Sequence, residues 1–265
     1  MNTRLFLIIS LLGLGIFAGY VNARSPMNIY EAVLIEDNQH TPNISTEELR
    51  TILADKSATV FDVRPFEEYA IDHIPGALNV SAKPGVTREE YISDIAEIGR
   101  LVRENKTAPV VLYCSGPFCG KGKRVAKELV AAGYTNVRRY QLGIPVWRAL
   151  GGVTEIELEG AKYVVEKDLT AVFIDTRDPG KFRAGTLPNA RNLSQSRVEP
   201  GKGGKEVKKA KKDGRLPMED HNTRIIVFGR DGMQAKPVAE ALCKNAFHNV
   251  SYFSGTFETL RAALR

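Results

Sequence analysis

Phe61–Ser81 reads FDVRPFEEYAIDHIPGALNVS, and the pattern returns over Ile174–Ser194 as IDTRDPGKFRAGTLPNARNLS. The stretches align without a gap: Asp62 on Asp175, Arg64 on Arg177, Tyr69 on Phe182, Pro75 on Pro188, Ala77 on Ala190 and Asn79 on Asn192. Self-similarity at one fixed offset marks a repeated structural unit. The chain therefore reads as two copies of one fold.

A second pair of blocks follows. Val110-Val111-Leu112-Tyr113 matches Ile225-Ile226-Val227-Phe228, both short apolar runs of strand type. Val125-Ala126-Lys127-Glu128-Leu129 then matches Val238-Ala239-Glu240-Ala241-Leu242 at helical spacing, and Asn136-Val137 matches Asn249-Val250. The offset changes by two between strand and helix, so the first copy is expected to carry the longer strand-to-helix loop. Each copy reads strand, helix, strand, helical insertion, strand, loop, helix, strand. Such alternation predicts an α/β fold, each copy a parallel sheet flanked by helices on both faces. Ligands of these sheets sit beyond the carboxyl ends of the strands, which points to the loops after Tyr113 and Phe228.

The length, 265 residues, suits two domains, and 43% hydrophobic with 26% charged residues is the balance of a soluble globular protein, so disorder is not the default reading. The expected layout is a signal peptide over 1–23, a first domain over 28–152 and a second over 153–265. Met1-Asn2-Thr3-Arg4 is a positive start, Leu5 to Val21 is apolar, and Val21-Asn22-Ala23 fits a signal-peptidase site. Gly13, Gly15 and Gly19 weaken a membrane-spanning helix. Cleavage after Ala23 and a periplasmic location are expected, with membrane contact only before cleavage. Whether Glu155–Val165 is a linker or opens the second domain stays open. The net charge of +6 is concentrated in GKGGKEVKKAKKDGR (Gly201–Arg215), read as a solvated loop; no nucleic-acid partner is expected.

Beyond these blocks the chain resembles the rhodanese family over nearly all of its length after the apolar start. His73-Ile74-Pro75-Gly76-Ala77, closing the first block, is similar to that family's first signature. Val111-Leu112-Tyr113-Cys114 is similar to its active-site strand, and Gly133-Tyr134-Thr135-Asn136-Val137 through Gly143-Ile144-Pro145-Val146-Trp147 to its closing signature. The resemblance implies two tandem rhodanese-like domains and a sulfurtransferase without a cofactor or metal. Cys114 would take a sulfane sulfur from a small anionic donor such as thiosulfate. It would then pass it to a thiol or other nucleophilic acceptor, with a partner protein as a further option.

The chemistry of the residues agrees. A cysteine is a nucleophile only as the thiolate. A strand end opening into a helix surrounds it with N–H donors and the positive helix end. Ser115, Gly116, Pro117, Phe118, Gly120, Lys121, Gly122, Lys123 and Arg124 form the candidate substrate-binding loop, its glycines letting the backbone curl and its cations favouring an anion.

This loop is longer than the common family pattern, so phosphatases and arsenate reductases of the same fold are weighed. Their cysteine-x5-arginine spacing falls here on Gly120, which disfavours them. Cys119 also begins a cysteine-x-x-glycine-x-arginine string, but it leaves the strand end unused, so Cys114 is the preferred nucleophile. For Cys119 three readings stay open: a resolving thiol that bonds Cys114, a persulfide acceptor, or a packing residue. The alternative from another class is a non-catalytic or redox binding module built on a Cys114/Cys119 disulfide. The second copy has Gly229 at the position of Cys114 and is expected to be inert. Cys243 and Trp147 are expected in the cores, His73 in loop packing, and Asp62 and Arg64 in structural roles because Asp175 and Arg177 repeat them.

Overall fold

A computed structural model of the chain describes residues 41–198, 203–218 and 220–264; the expected signal segment lies outside them. Two parallel sheets are present. The first contains β1 (Thr59–Asp62), β2 (Leu78–Asn79), β3 (Val110–Tyr113) and β4 (Val137–Tyr140) in the order β2-β1-β3-β4. The second contains β5 (Thr154–Ile156), β6 (Val172–Asp175), β7 (Arg191–Asn192), β8 (Ile225–Phe228) and β9 (Val250–Phe253) in the order β5-β9-β8-β6-β7.

The central strands β3 and β8 are buried at every residue, and strand alternation divides them between two cores. Val110 and Leu112 meet Ile98 of α3 (Asp94–Leu101) and Val125 and Leu129 of α4 (Gly120–Ala131). Val111 and Tyr113 meet Leu49 of α1 (Thr46–Asp55) and Trp147 of α5 (Gly143–Ala149) on the other face. Between β1 and β2 runs α2 (Phe66–Ile71).

The second domain repeats this scheme. Ile226 and Phe228 pack with Ala161 and Val164 of α6 (Leu158–Lys167) and Leu260 of α10 (Phe257–Ala263). Ile225 and Val227 pack with Val238 of α9 (Gly232–Cys243), and α7 (Pro179–Ala184) follows β6. Among the described residues, no helix is long and apolar enough to cross a membrane.

Two expectations change here. The Lys-rich stretch is not a solvated loop: Gly203–Lys212 forms α8, and Val207 and Ala210 are wholly buried in the second core. Those residues are three apart, one helical face, and burying a valine side chain is worth roughly 1.5–3 kcal/mol. Charge density hid that period. The segment left open resolves into β5, an edge strand beside β9, followed by α6.

The halves are joined by backbone hydrogen bonds, a close helix contact and ion pairs. His73 and Glu155 exchange backbone hydrogen bonds at 2.9 and 2.8 Å, and Glu157 N–H donates to the Ala70 carbonyl at 2.8 Å. A β-carbon on Gly160 of α6 would strike that same carbonyl of α2. The His73 ring stacks on Tyr69 with centroids 3.8 Å apart. Asp72 gathers arginines from both halves: Arg64 at 3.0 Å and Arg148 at 2.5 Å from its own domain, and Arg224 at 4.0 Å from the other.

Candidate functional site

Cys114 directly follows β3, is buried, and shares the core cluster of Val125 and Leu129. The chain then needs six residues, Cys114 to Cys119, before α4 begins at Gly120. Gly116 adopts φ +148° and the Cys119 N–H donates to its carbonyl at 2.9 Å, curling the loop back. Cys114 and Cys119 are joined by a disulfide with Cα atoms 6.1 Å apart, inside the usual range for such a bridge.

The loop is fastened from behind by Gln141, the residue after β4. Its amide Nε2 donates to the carbonyls of Gly116, Pro117 and Cys119 at 3.4, 3.0 and 3.1 Å, while its Oε1 accepts from Arg139 at 3.1 Å. Gly143 completes the seat. It has φ +65°, and a β-carbon there would lie 2.5 Å from the Cys114 carbonyl and 2.6 Å from the Gly116 nitrogen. Gly122 brings the first turn of α4 against Cys114, its β-carbon position being 3.6 Å from that of Cys114.

Carbonyls are thus tied down while donors stay unengaged. Among the described residues, no protein acceptor faces the N–H groups of Ser115, Gly116, Phe118, Gly120 and Lys121. Unpaired N–H groups in a curled loop at a helix start make an anion-binding concavity. The expected cations are placed differently. Lys121 Nζ reaches Asp94 at 3.1 Å and Ser81 at 2.8 Å, bracing α4 on α3, and Arg124 pairs with Glu128 at 3.3 Å on the exposed face. Ser115 Oγ donates to Glu68 of α2 at 3.1 Å, and Phe118 stands exposed at the loop tip. Lys121 and Arg124 are thus each engaged by a carboxylate of the protein itself.

The corresponding loop of the second domain spans three residues, Gly229 to Asp231, before α9. The difference is three rather than the expected two, because Asp231 caps α9 and starts it one residue earlier than the alignment places it. A β-carbon on Gly229 would collide with Thr176 Oγ1 and lie 2.9 Å from Gln234 Oε1. That Gln234 oxygen accepts from the Arg230 N–H at 2.8 Å, Asp231 Oδ1 accepts from the Gln234 N–H at 3.0 Å, and the Gly232 N–H donates to the Ser254 carbonyl at 3.1 Å. Arg230 and the Gln234 N–H hold the Asp231 carboxyl below its ordinary range. Here the N–H groups of Arg230, Gly232 and Gln234 are engaged, and the loop carries the Asp231 carboxylate.

Other residues singled out from the sequence fall into place around this. Asp62 accepts from the Arg64 guanidinium at 2.6 Å, and Asp175 from Arg177 at 2.7 Å, in both halves tying the strand to the turn after it. His73 packs at the domain join. Trp147 lies in the core with Nε1 donating to the Val153 carbonyl at 2.8 Å. Burial pushes the Cys243 thiol up to about 12, an inert packing thiol. Gln141 was not anticipated; its only signal was its place just beyond β4, the strand that pairs with β3.

Comparison with known proteins adds the following. The rhodanese-like domain family matches this chain twice, over residues 45–150 and 161–263. A human thiosulfate:glutathione sulfurtransferase is 32% identical over 119 residues, 40% of this chain and 92% of that protein. An HTH-type transcriptional regulator of Mycobacterium tuberculosis is 33% identical over 93 residues, 35% of each chain. The adenylyltransferase and sulfurtransferase of Candida albicans is 29% identical over 92 residues, 35% of this chain and 20% of that one. The chain thus spans 35% and 20% of the length of two of these relatives. A crystal structure of a thiosulfate sulfurtransferase from Pseudomonas aeruginosa aligns over 84% of this chain and 45% of its own, with 21% identity and a TM-score of 0.37.

Proposed function

This chain belongs to the rhodanese-like domain family in both halves, and from that premise we propose that its first domain is a sulfurtransferase working through a persulfide on Cys114. The observation that supports this is the seat of Cys114: a buried cysteine at a strand end, opening a curled loop in which the N–H groups of Ser115, Gly116, Phe118, Gly120 and Lys121 meet no protein acceptor among the described residues. In the reduced protein those donors favour the thiolate. They also suit an anionic sulfane donor of the thiosulfate type. The thiolate attacks the outer sulfur, sulfite departs with the bonding pair, and the same donors hold the persulfide anion. A thiol or other nucleophile then removes the sulfur. The reading includes export, carried by the apolar run Leu5–Val21 and the Val21-Asn22-Ala23 end.

The second domain acts through contact. Its α6 lies on α2, and Glu68 of α2 takes the Ser115 hydroxyl, so the interface steadies one wall of the loop. The Cys114–Cys119 disulfide favours a second reading, a redox binding module that never carries persulfide.

One measurement separates them. Intact mass is recorded for the reduced chain and for Cys114→Ser, with and without thiosulfate, alongside sulfite release. Sulfite from the wild type alone, and turnover to an added acceptor that falls to background in Cys114→Ser, supports sulfur transfer. No sulfite from the reduced wild type leaves the binding module.

A further inference from the structure

We propose that Cys119 resolves the Cys114 persulfide inside the loop, so that the first domain releases its sulfur as sulfide and is reset by an external dithiol. This rests on the sulfur-transfer reading and adds a second chemical step to it. Three observations carry it. Cys114 and Cys119 are bonded with α4 intact from Gly120 and with Gln141 still holding the Gly116, Pro117 and Cys119 carbonyls. The loop therefore accommodates the bond without surrendering its fastening. Cys119 also stands at the N-cap of α4 with no side-chain cap in its place, where the helix end favours a thiolate. Finally, the added length and the second sulfur occur together: the other half has a loop three residues shorter and neither cysteine.

The steps balance. The Cys114 thiolate attacks the outer sulfur of thiosulfate; that sulfur–sulfur bond breaks and sulfite leaves with its electron pair. The Cys119 thiolate then attacks Cys114 Sγ, the inner sulfur of the persulfide. A new Sγ–Sγ bond forms and the bond to the transferred sulfur breaks; that terminal sulfur, protonated from solvent, leaves with the electron pair as hydrosulfide. The transferred sulfur is reduced to sulfide and the two cysteines are oxidised to the disulfide.

A small dithiol supplies the reducing equivalents. Cys119 is half-buried whereas Cys114 is buried, so the incoming thiolate attacks Cys119 Sγ. Cys114 then leaves as the thiolate, into the N–H cradle that stabilises it. The second thiol of the reductant displaces Cys119 and closes as a disulfide. The sum is thiosulfate and dithiol giving sulfite, sulfide and the oxidised dithiol.

The test uses the full chain, reduced and freed of small thiols, then given thiosulfate with no other acceptor. Wild type is expected to yield equal sulfite and sulfide and to finish as the Cys114–Cys119 disulfide. Cys119→Ser and Cys119→Ala should still yield sulfite but keep the mass of one added sulfur, which cyanide removes as thiocyanate. Their sulfide should drop by about tenfold or more, the leaving step having lost its attacking thiolate. A wild type that keeps a stable persulfide and releases no sulfide overturns the resolving step while leaving sulfur transfer intact. Sulfide release from both Cys119 variants at the wild-type rate does the same. Absence of sulfite from every form removes the underlying transfer reading, and the inference with it.

Discussion

Two strand-to-helix loops of this chain occupy the same place in the same fold and are opposite in character. After β3, a glutamine just beyond the neighbouring strand binds loop carbonyls, while loop N–H groups from Ser115 to Lys121 stay open. After β8, a glutamine from the helix itself accepts the Arg230 N–H, and Asp231 caps the helix. The same side-chain amide faces the loop with its donor in one case and its acceptor in the other. The half without the cysteine thus also spends more of its loop groups on internal hydrogen bonds. Fold alone does not carry function here; the polarity of a few loop groups does.

The largest effect that could break this comparison comes from moving the sulfur. In a Cys114→Ser, Gly229→Cys chain, thiosulfate turnover should stay at background. The new β-carbon meets Thr176 and Gln234, and Asp231 repels the donor. Turnover near the wild-type rate would mean that the cradle is irrelevant and only the thiol was missing.

Next in size is a device found in one half only. Arg64 donates to the Asp72 carbonyl at 2.5 Å just as Arg177 donates to the Gly185 carbonyl at 2.7 Å, but Gly185 has no carboxylate. Asp72 alone adds the carboxylate that gathers Arg64, Arg148 and Arg224. Burial pulls the Arg148 guanidinium down and Asp72 pushes it back up. Asp72→Ala leaves the buried Arg148 without its carboxylate partner, whereas Arg64 keeps Asp62 and Arg224 keeps Asp168; it should cost about 3–5 kcal/mol, measured by urea unfolding with separate probes for the halves. A loss within roughly 0.5 kcal/mol would mark it as an ordinary surface change.

The smallest effect sharpens the comparison at Gly143. Its structural counterpart, Thr256, caps α10 with Oγ1 accepting the Thr259 N–H. Gly143→Thr should destabilise the first domain by about 1–3 kcal/mol through overpacking against the Cys114 carbonyl. Turnover should fall as the loop shifts, whereas Thr256→Gly should cost only a few tenths of a kcal/mol, the usual loss for a cap replaced by glycine. Equal effects at the two positions would show that the first loop is no more tightly seated than the second.

Much of this was legible in the residues. The doubled Asp-x-Arg block, the paired apolar runs and the helical spacing that follows them determined two parallel α/β units, because strand and helix periodicities are local properties of the chain. The position of Cys114 and its absence from the second copy could be read the same way.

Only the tertiary structure decided the rest. Lys121 and Arg124 looked like donors to an anion until their distant or helical partners Asp94 and Glu128 were in place. That Cys119 meets Cys114 at all depends on the curl at Gly116. Gln141 lies 22 residues beyond Cys119 in the chain, and nothing local to either announces that they meet. Which carbonyls are tied and which N–H groups are left open depends on strands brought together across the sheet, and such pairings carry no local period to read.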